Sequence, residues 1–409
     1  MVNRAYIIHV VSLTLTKLAD RLIDPKLVLA WLLNAIGASG VLIGLLVPVR
    51  EAGALIPQLL LARAIQRAKI RKYFWAIGAA VQGLAAVGMA ASAAFLPGKA
   101  AGWVIIALLA VLAVARSACS ASYKDILART VEKGTRGKVS GSAGTVAAIA
   151  VFVFAVLLSL GWLPREPLVI SGAIALAGCL WLLGAATFTS LKEPSDDSAS
   201  DADVSISGLM RPLKDDAEFR YYIATRAQLI STALAPPFLI MLGSGDGDTG
   251  FGNLGILVLA SSIASIVSSY IWGALSDWSS RQTLMLAGAF SGLTLMTAAM
   301  VGYFLDTEAG VLISGYVFVS QIAYQGARAG RKTHLTDMDS DGHKSVYTAL
   351  SNTLIGMLLL LGGLLGAVAD LAGAEAVLVI LALLSFSAIF SAYHLSEVQA
   401  DVADDSGAS

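Results

Sequence analysis

Five stretches of this chain run without a charged residue for the width of a lipid bilayer. They are Phe74–Leu96, Val139–Leu160, Leu168–Ser190, Thr283–Leu305 and Val346–Ala369. Each is close to the ~20 residues a helix needs to cross ~30 Å of hydrocarbon. In that solvent a backbone must satisfy its own hydrogen bonds, so each run is expected to be a helix. Composition agrees: 57% of the 409 residues are hydrophobic and 14% are charged, against roughly 25% charged in soluble domains. Too little polar surface exists to face water all round. The expected class is an all-α membrane protein whose first partner is the lipid bilayer. A net charge of zero gives no reason to expect nucleic acid. Cys119 and Cys179 fall in or beside apolar runs and read as packing residues. No removable signal peptide is apparent, since no short apolar segment leads to a small-residue cleavage site.

Hydropathy alone misplaces the start of the chain. It picks Leu27–Val49 as the first helix and strands Tyr6–Thr16. An internal repeat corrects this. At a constant offset of 208, Lys124 falls on Lys332, Leu127 on Leu335, Gly134 on Gly342, Arg136 on Lys344 and Thr145 on Thr353. Two copies of a six-helix unit explain the match, and parallel repeats of this size are a known transporter plan. About twelve transmembrane helices follow, in two pseudo-symmetric bundles. They are expected near 6–32, 40–66, 74–96, 102–121, 139–161 and 167–190, then 219–243, 251–275, 283–304, 310–328, 346–369 and 375–393. The domains are a first bundle over 1–191, a polar linker over 192–217, a second bundle over 218–395 and an acidic, loose tail over 396–409. Seventeen basic residues, from Arg4 to Lys344, fall on one side of this arrangement and only Lys99 and Arg165 on the other. That asymmetry predicts a cytoplasmic (inner) membrane protein with both termini cytoplasmic.

Between the eighth and ninth helices the chain reads Gly273-Ala-Leu-Ser-Asp277-Trp-Ser-Ser-Arg281. This resembles the loop signature of the major facilitator superfamily, with Gly273, Leu275, Ser276, Asp277 and Arg281 matching and Trp278, Ser280 and Gln282 departing. The first-half equivalent keeps Lys69 and Lys72 but lacks the glycine and the aspartate. The resemblance implies a rocker-switch transporter with a central cavity between its halves. Gly273 is expected to permit close helix packing, and Asp277 to meet a helix end or a basic partner and so hold one gating state. The alternative is an ordinary loop cap.

Ionisable residues inside a membrane helix are functional candidates by default. Lys17, Asp20, Arg21 and Asp24 have the i, i+3, i+4, i+7 spacing that shares one helix face. Lys26 points elsewhere and is expected to snorkel. Helix two brings Arg50, Glu51 and Gln58. Asp20 or Asp24 with Arg50, and Arg21 with Glu51, are the expected pairs. At an offset of 209 Arg226 falls on Lys17, so each half offers a cation; Gln228 follows on the same helix. Gln321, Tyr324 and Gln325 lie on helix ten and Asn352 on helix eleven. Asp20, Asp24 and Glu51 are the proton-coupling candidates, because a carboxylate in low dielectric favours its neutral form. Lys17, Arg21, Arg50, Gln58, Arg226, Gln228, Gln321, Tyr324, Gln325 and Asn352 are the solute-binding candidates. Arg116 is read as a snorkelling or capping residue. The competing reading makes these groups packing ion pairs. Pro25, Pro236 and Pro237 are expected to kink helices one and seven.

Asp337-Met-Asp339-Ser-Asp341-Gly342 begins like a calcium loop, but Thr348 stands where the closing glutamate belongs. The histidines, His9, His334, His343 and His394, lack ligand spacing. No metal, cofactor or enzymatic activity is expected. The function read from the sequence is a monomeric secondary transporter of a small charged or zwitterionic solute, with protons as the candidate coupling ion. A transporter-like receptor or assembly factor is the alternative.

Overall fold

The computed structural model describes residues 4–58, 61, 64–65, 68–132, 135–160, 162, 166–195, 211–242, 254–304, 310–338 and 344–399. The described residues are helical, with no strand among them. The chain divides into two compact units, Met1–Asp203 and Val204–Ser409. Most of the polar linker and residues 400–409 lie outside the described residues, as do residues 339–343 of the calcium-like segment.

The first unit contains α1 (Arg4–Leu22), α2 (Val28–Ala35), α3 (Gly40–Leu55), α4 (Lys72–Phe95), α5 (Gly98–Thr130), α6 (Arg136–Ser159) and α7 (Pro167–Thr189). The second contains α8 (Arg211–Asp215), α9 (Ala217–Gln228), α10 (Ser231–Leu242), α11 (Leu254–Trp278), α12 (Ser280–Phe304), α13 (Gly310–Asp337), α14 (Lys344–Gly362) and α15 (Leu365–Tyr393). Among the described residues, seven helices are long and apolar enough to span a bilayer by themselves: most or all of α4, α5, α6, α7, α11, α12 and α15. The remaining segments of the twelve are broken or polar. Segment one is α1 plus α2, and segment seven is α9 plus α10. Segments eleven and twelve meet inside α15, where Gly373 adopts φ 86°, ψ 162°. That backbone region is open to glycine and strained for other residues.

Packing repeats between the units. In the first, α4 packs on α5 and α7, α1 on α6 and α7, and α3 on α5. In the second, α12 packs on α13 and α15, α9 and α10 on α15, and α11 on α13. Small residues allow the central crossings. A Cβ added at Gly83 would lie 2.8 Å from the Gly178 carbonyl oxygen. At the corresponding crossing in the second unit, Ser291 and Ser385 share a hydrogen bond of 2.9 Å.

Several expectations need correction. Helix one is not continuous: it stops at Leu22, and Asp24-Pro25 occupies a turn before α2. Pro25 carries no N–H to extend the ladder, and the Asp24 carboxylate accepts instead from Lys26 N at 2.7 Å. Lys26 is buried rather than snorkelling. The break in segment seven precedes Pro236 and Pro237. It falls at Leu229–Ile230, where the hydroxyls of Ser231 and Thr232 donate to carbonyls three residues back. Such back-bonding diverts carbonyls from the helical ladder and bends helices. α5 and α13 each run nine residues past their expected ends. Cys179 is exposed, while the Cys119 thiol donates to the Trp75 carbonyl at 3.2 Å.

Candidate functional site

Asp20 sits in the last turn of α1, half-buried. Two arginines converge on its Oδ1: Arg50 Nη2 from α3 at 2.5 Å and Arg116 Nη1 from α5 at 2.5 Å. The Arg50 side chain is 7% exposed, Asp20 24% and Arg116 40%. Glu51, next to Arg50, acts electrostatically on both arginines. The result is two cations and two anions held by three helices. A buried charge is tolerable in such a setting only when neighbours compensate it.

A cavity of about 350 Å³ opens beside this cluster, wholly within the first unit. Asp20 and Arg116 line it with Lys17, Gln82 and Tyr123; Trp75 and Trp181 supply apolar wall, and exposed Lys124 also lines it. Arg50 stands behind Asp20 and does not line the cavity. Lys17 donates to the Ser140 carbonyl of α6 at 2.8 Å. The volume falls within the ~300–1,000 Å³ of ordinary small-molecule pockets.

Of the expected pairs, Asp20 with Arg50 is present. Asp24 sits in the turn beyond the end of α1. Arg21 is exposed. Gln58 donates to the Ala54 carbonyl of its own helix at 2.9 Å. In the second unit Arg226 is buried and hydrogen-bonds through Nη1 to the Ser351 hydroxyl and through Nη2 to Asn352 Oδ1, the latter at 2.9 Å. Gln228 Oε1 is buried without a hydrogen-bond partner among the described residues. Gln321 and Gln325 both donate to Ser265 Oγ, at 3.2 and 3.1 Å, tying α13 to α11; Tyr324 is half-buried on the same helix. The structure brings together Lys17, Asp20 and Arg50 with Arg116, which the sequence reading had set aside.

The loop motif is arranged differently from expectation. A Cβ at Gly273 would meet nothing within 4 Å, so this glycine does not mediate close packing. Gly326 does, with the Trp272 ring 2.8 Å from its added Cβ. Asp277 is exposed, and Arg281 pairs instead with Glu397 at 2.8 Å. Glu397 also accepts from the Ser279 hydroxyl at 2.7 Å, and Gln399 accepts from Ser280 N at 3.0 Å. The tail is therefore tied down through Gln399. The first unit has the same strap. Glu193 accepts from Arg71 N and Lys72 N, the latter at 2.7 Å, while Lys72 Nζ donates to the Leu191 carbonyl at 2.6 Å. Lys69 is exposed beside it. The readable signal was Leu191-x-Glu193 against Leu395-x-Glu397, each just after the last helix of its unit. His334, fully buried, joins Ser280 Oγ and Glu218 Oε1, each at 2.9 Å.

No family model matches the sequence, and neither does any curated protein. Solved structures do match in fold. A mutant of the nucleoside transporter NupG superposes with TM-score 0.74 at 13% identity, covering 95% of this chain and 99% of that one. A POT family transporter bound to a thioalcohol-conjugated peptide gives 0.69 at 9% identity, with 95% of each chain covered. A D-xylose-proton symporter gives 0.68 at 12% identity, covering 97% of this chain and 98% of that one. This chain is a multi-pass membrane protein of about twelve helices with the fold that these transporters share, that of the major facilitator superfamily.

Proposed function

We propose that the chain is a secondary transporter that carries a small charged solute by alternating access, and that it is not an enzyme. The supporting observation is the Arg50–Asp20–Arg116 cluster at the wall of a 350 Å³ cavity. A protein built only to pack helices has no need to hold three charges beside a cavity within a membrane segment. The fold neighbours named above are transporters of a nucleoside, of peptides and of xylose with protons, which supports the class and leaves this chain's solute open.

The arrangement suggests how coupling works. Arg116 shares Asp20 with Arg50. A solute anion that takes Arg116 leaves Asp20 with one cation instead of two, and the freed carboxylate becomes able to accept a proton. Asp20 is thus the leading proton-coupling candidate and Glu51 the second; Asp24, engaged in the turn, is weaker. Both termini are proposed to lie in the cytoplasm, from the distribution of basic residues. The two straps would then face the cytoplasm, where Asp277 is free to engage a partner during gating.

Counterflow in proteoliposomes tests this reading. Wild type should exchange an internal solute for an external one, and Asp20→Asn should lose the dependence of uptake on a proton gradient. No counterflow for any solute that binds the purified protein would favour a receptor or assembly factor. Undiminished proton dependence in both Asp20→Asn and Glu51→Gln would leave the cluster as packing only.

A further inference from the structure

We infer that the cavity of the first unit takes a small organic monoanion that also donates a hydrogen bond, an inference that rests on reading this cavity as the solute site. Charge accounting sets the sign. Arg50 and Arg116 are matched by Asp20 and Glu51. Two cations of the lining then remain: Lys124, which is exposed and solvated, and Lys17, which is half-buried and whose ammonium reaches a backbone carbonyl rather than a carboxylate among the described residues. One uncompensated ammonium inside a low-dielectric segment calls for one negative charge.

The second unit shows the same position engaged by side chains of its own bundle. Arg226, the repeat partner of Lys17, is held by Ser351 and Asn352 on α14. At the offset of 208, Asn352 falls on Gly144 of α6. A Cβ there would lie 3.5 Å from Lys17 Nζ. The glycine therefore withdraws the side chain that in the other unit occupies the cation, and leaves Lys17 facing the cavity.

Two further atoms define the ligand. Gln82, 2% exposed, donates through Nε2 to the Gly78 carbonyl at 3.2 Å and to Cys119 Sγ at 3.3 Å. A carbonyl cannot donate, so the amide orientation is fixed and Oε1 is the free end. That Oε1 is buried with no hydrogen-bond partner among the described residues, as is Tyr123 Oη. Leaving either unmet is costly. Gln82 asks for a hydroxyl or N–H on the ligand, and Tyr123 supplies a donor to its anionic group. Trp75 and Trp181 accept an apolar or ring portion.

The test uses the full chain in lipid nanodiscs with matched probes: lactate against lactamide, phenyllactate against phenyllactamide, and phenylalaninol as a cation. Calorimetry and thermal stabilisation should show each anion binding about tenfold or more tighter than its amide, with phenylalaninol weakest. Lys17→Gln, which keeps a donor for the Ser140 carbonyl, should cost the anions about tenfold, with Lys17→Arg retaining most affinity. Gly144→Asn should weaken anion binding without loss of folded yield. Hydrocinnamate, lacking the hydroxyl, should bind more weakly than phenyllactate in wild type and equally in Gln82→Leu. Amides or the amine binding as tightly as the anions would overturn the inference, as would no anion binding at millimolar concentration. Counterflow separates the two readings. An anion that binds and is not exchanged sinks transport and keeps the anion site, whereas exchange of only neutral solutes keeps transport and sinks the anion site.

Discussion

Asp20→Asn is the sharpest perturbation available, because one oxygen carries two guanidinium contacts at 2.5 Å. Removing one partner of a buried ion pair costs ~3–5 kcal/mol, since the remaining charge is stranded. The Arg50 contact belongs to that class at 7% exposure, though Asp20 at 24% softens it toward ~3 kcal/mol. The Arg116 contact is 40% exposed at the arginine and adds at most ~1 kcal/mol. A total near ~3 kcal/mol corresponds to a melting shift of roughly 6–12 °C for a unit of about 200 residues. The sign reverses on adding Arg50→Gln. The double variant no longer strands a buried cation and should recover at least ~1 kcal/mol, a coupling typical of contacting charges. The assay is thermal unfolding in nanodiscs followed with a thiol-reactive dye in a Cys179→Ser background, because Cys179 is exposed and Cys119 lies against Trp75 in the same bundle. An Asp20→Asn variant that melts within a degree of wild type, or a double variant less stable than the single, would refute the network.

Other outcomes follow from the same geometry. Glu193→Ala removes the acceptor for Arg71 N and Lys72 N at the start of α4 and should cost about 1–2 kcal/mol, read as a lower melting temperature. Gly83→Val should abolish folded yield on size exclusion, because its Cβ alone meets the Gly178 carbonyl at 2.8 Å, whereas Gly273→Ala should elute like wild type. Arg226→Lys gives up a planar two-handed grip on Ser351 and Asn352 and should lower the melting temperature by an amount worth roughly 1–3 kcal/mol; Asn352→Ala should account for part of that loss.

The apolar runs and the repeat made the number and order of segments legible in the sequence, because bilayer thickness imposes a length on any helix that crosses it. What hydropathy cannot see is where a helix bends. Pro25 advertised its break, whereas the break at Leu229–Ile230 depends on two hydroxyls choosing carbonyls three residues back. Arg116 was misjudged for a related reason. Counted from an end near residue 121, it lay close to the polar side; α5 continues to Thr130, which places it fourteen residues, about four turns, inside the helix. The straps were hidden because a glutamate after a helix looks like linker until its carboxylate is found capping another helix.

The repeat also explains why the polar site is lopsided. Duplication supplies both units with a cation on the first segment and a facing position on the fifth. Where that facing position is Asn352 the cation is hydrogen-bonded within its own unit. Where it is Gly144 the cation is left to Ser140's carbonyl and the cavity. Two side chains, Ser351 and Asn352 in one unit against Ala143 and Gly144 at the offset of 208 in the other, thus decide which unit uses its cation in packing and which offers it to a ligand. Grafting the difference in the opposite direction sharpens the point. Asn352→Gly should leave Arg226 one partner short and destabilise the second unit, and an added organic anion should restore part of the loss, by mass action on a newly opened site. Recovery by the neutral amide to the same extent would show that the opened site does not select for negative charge.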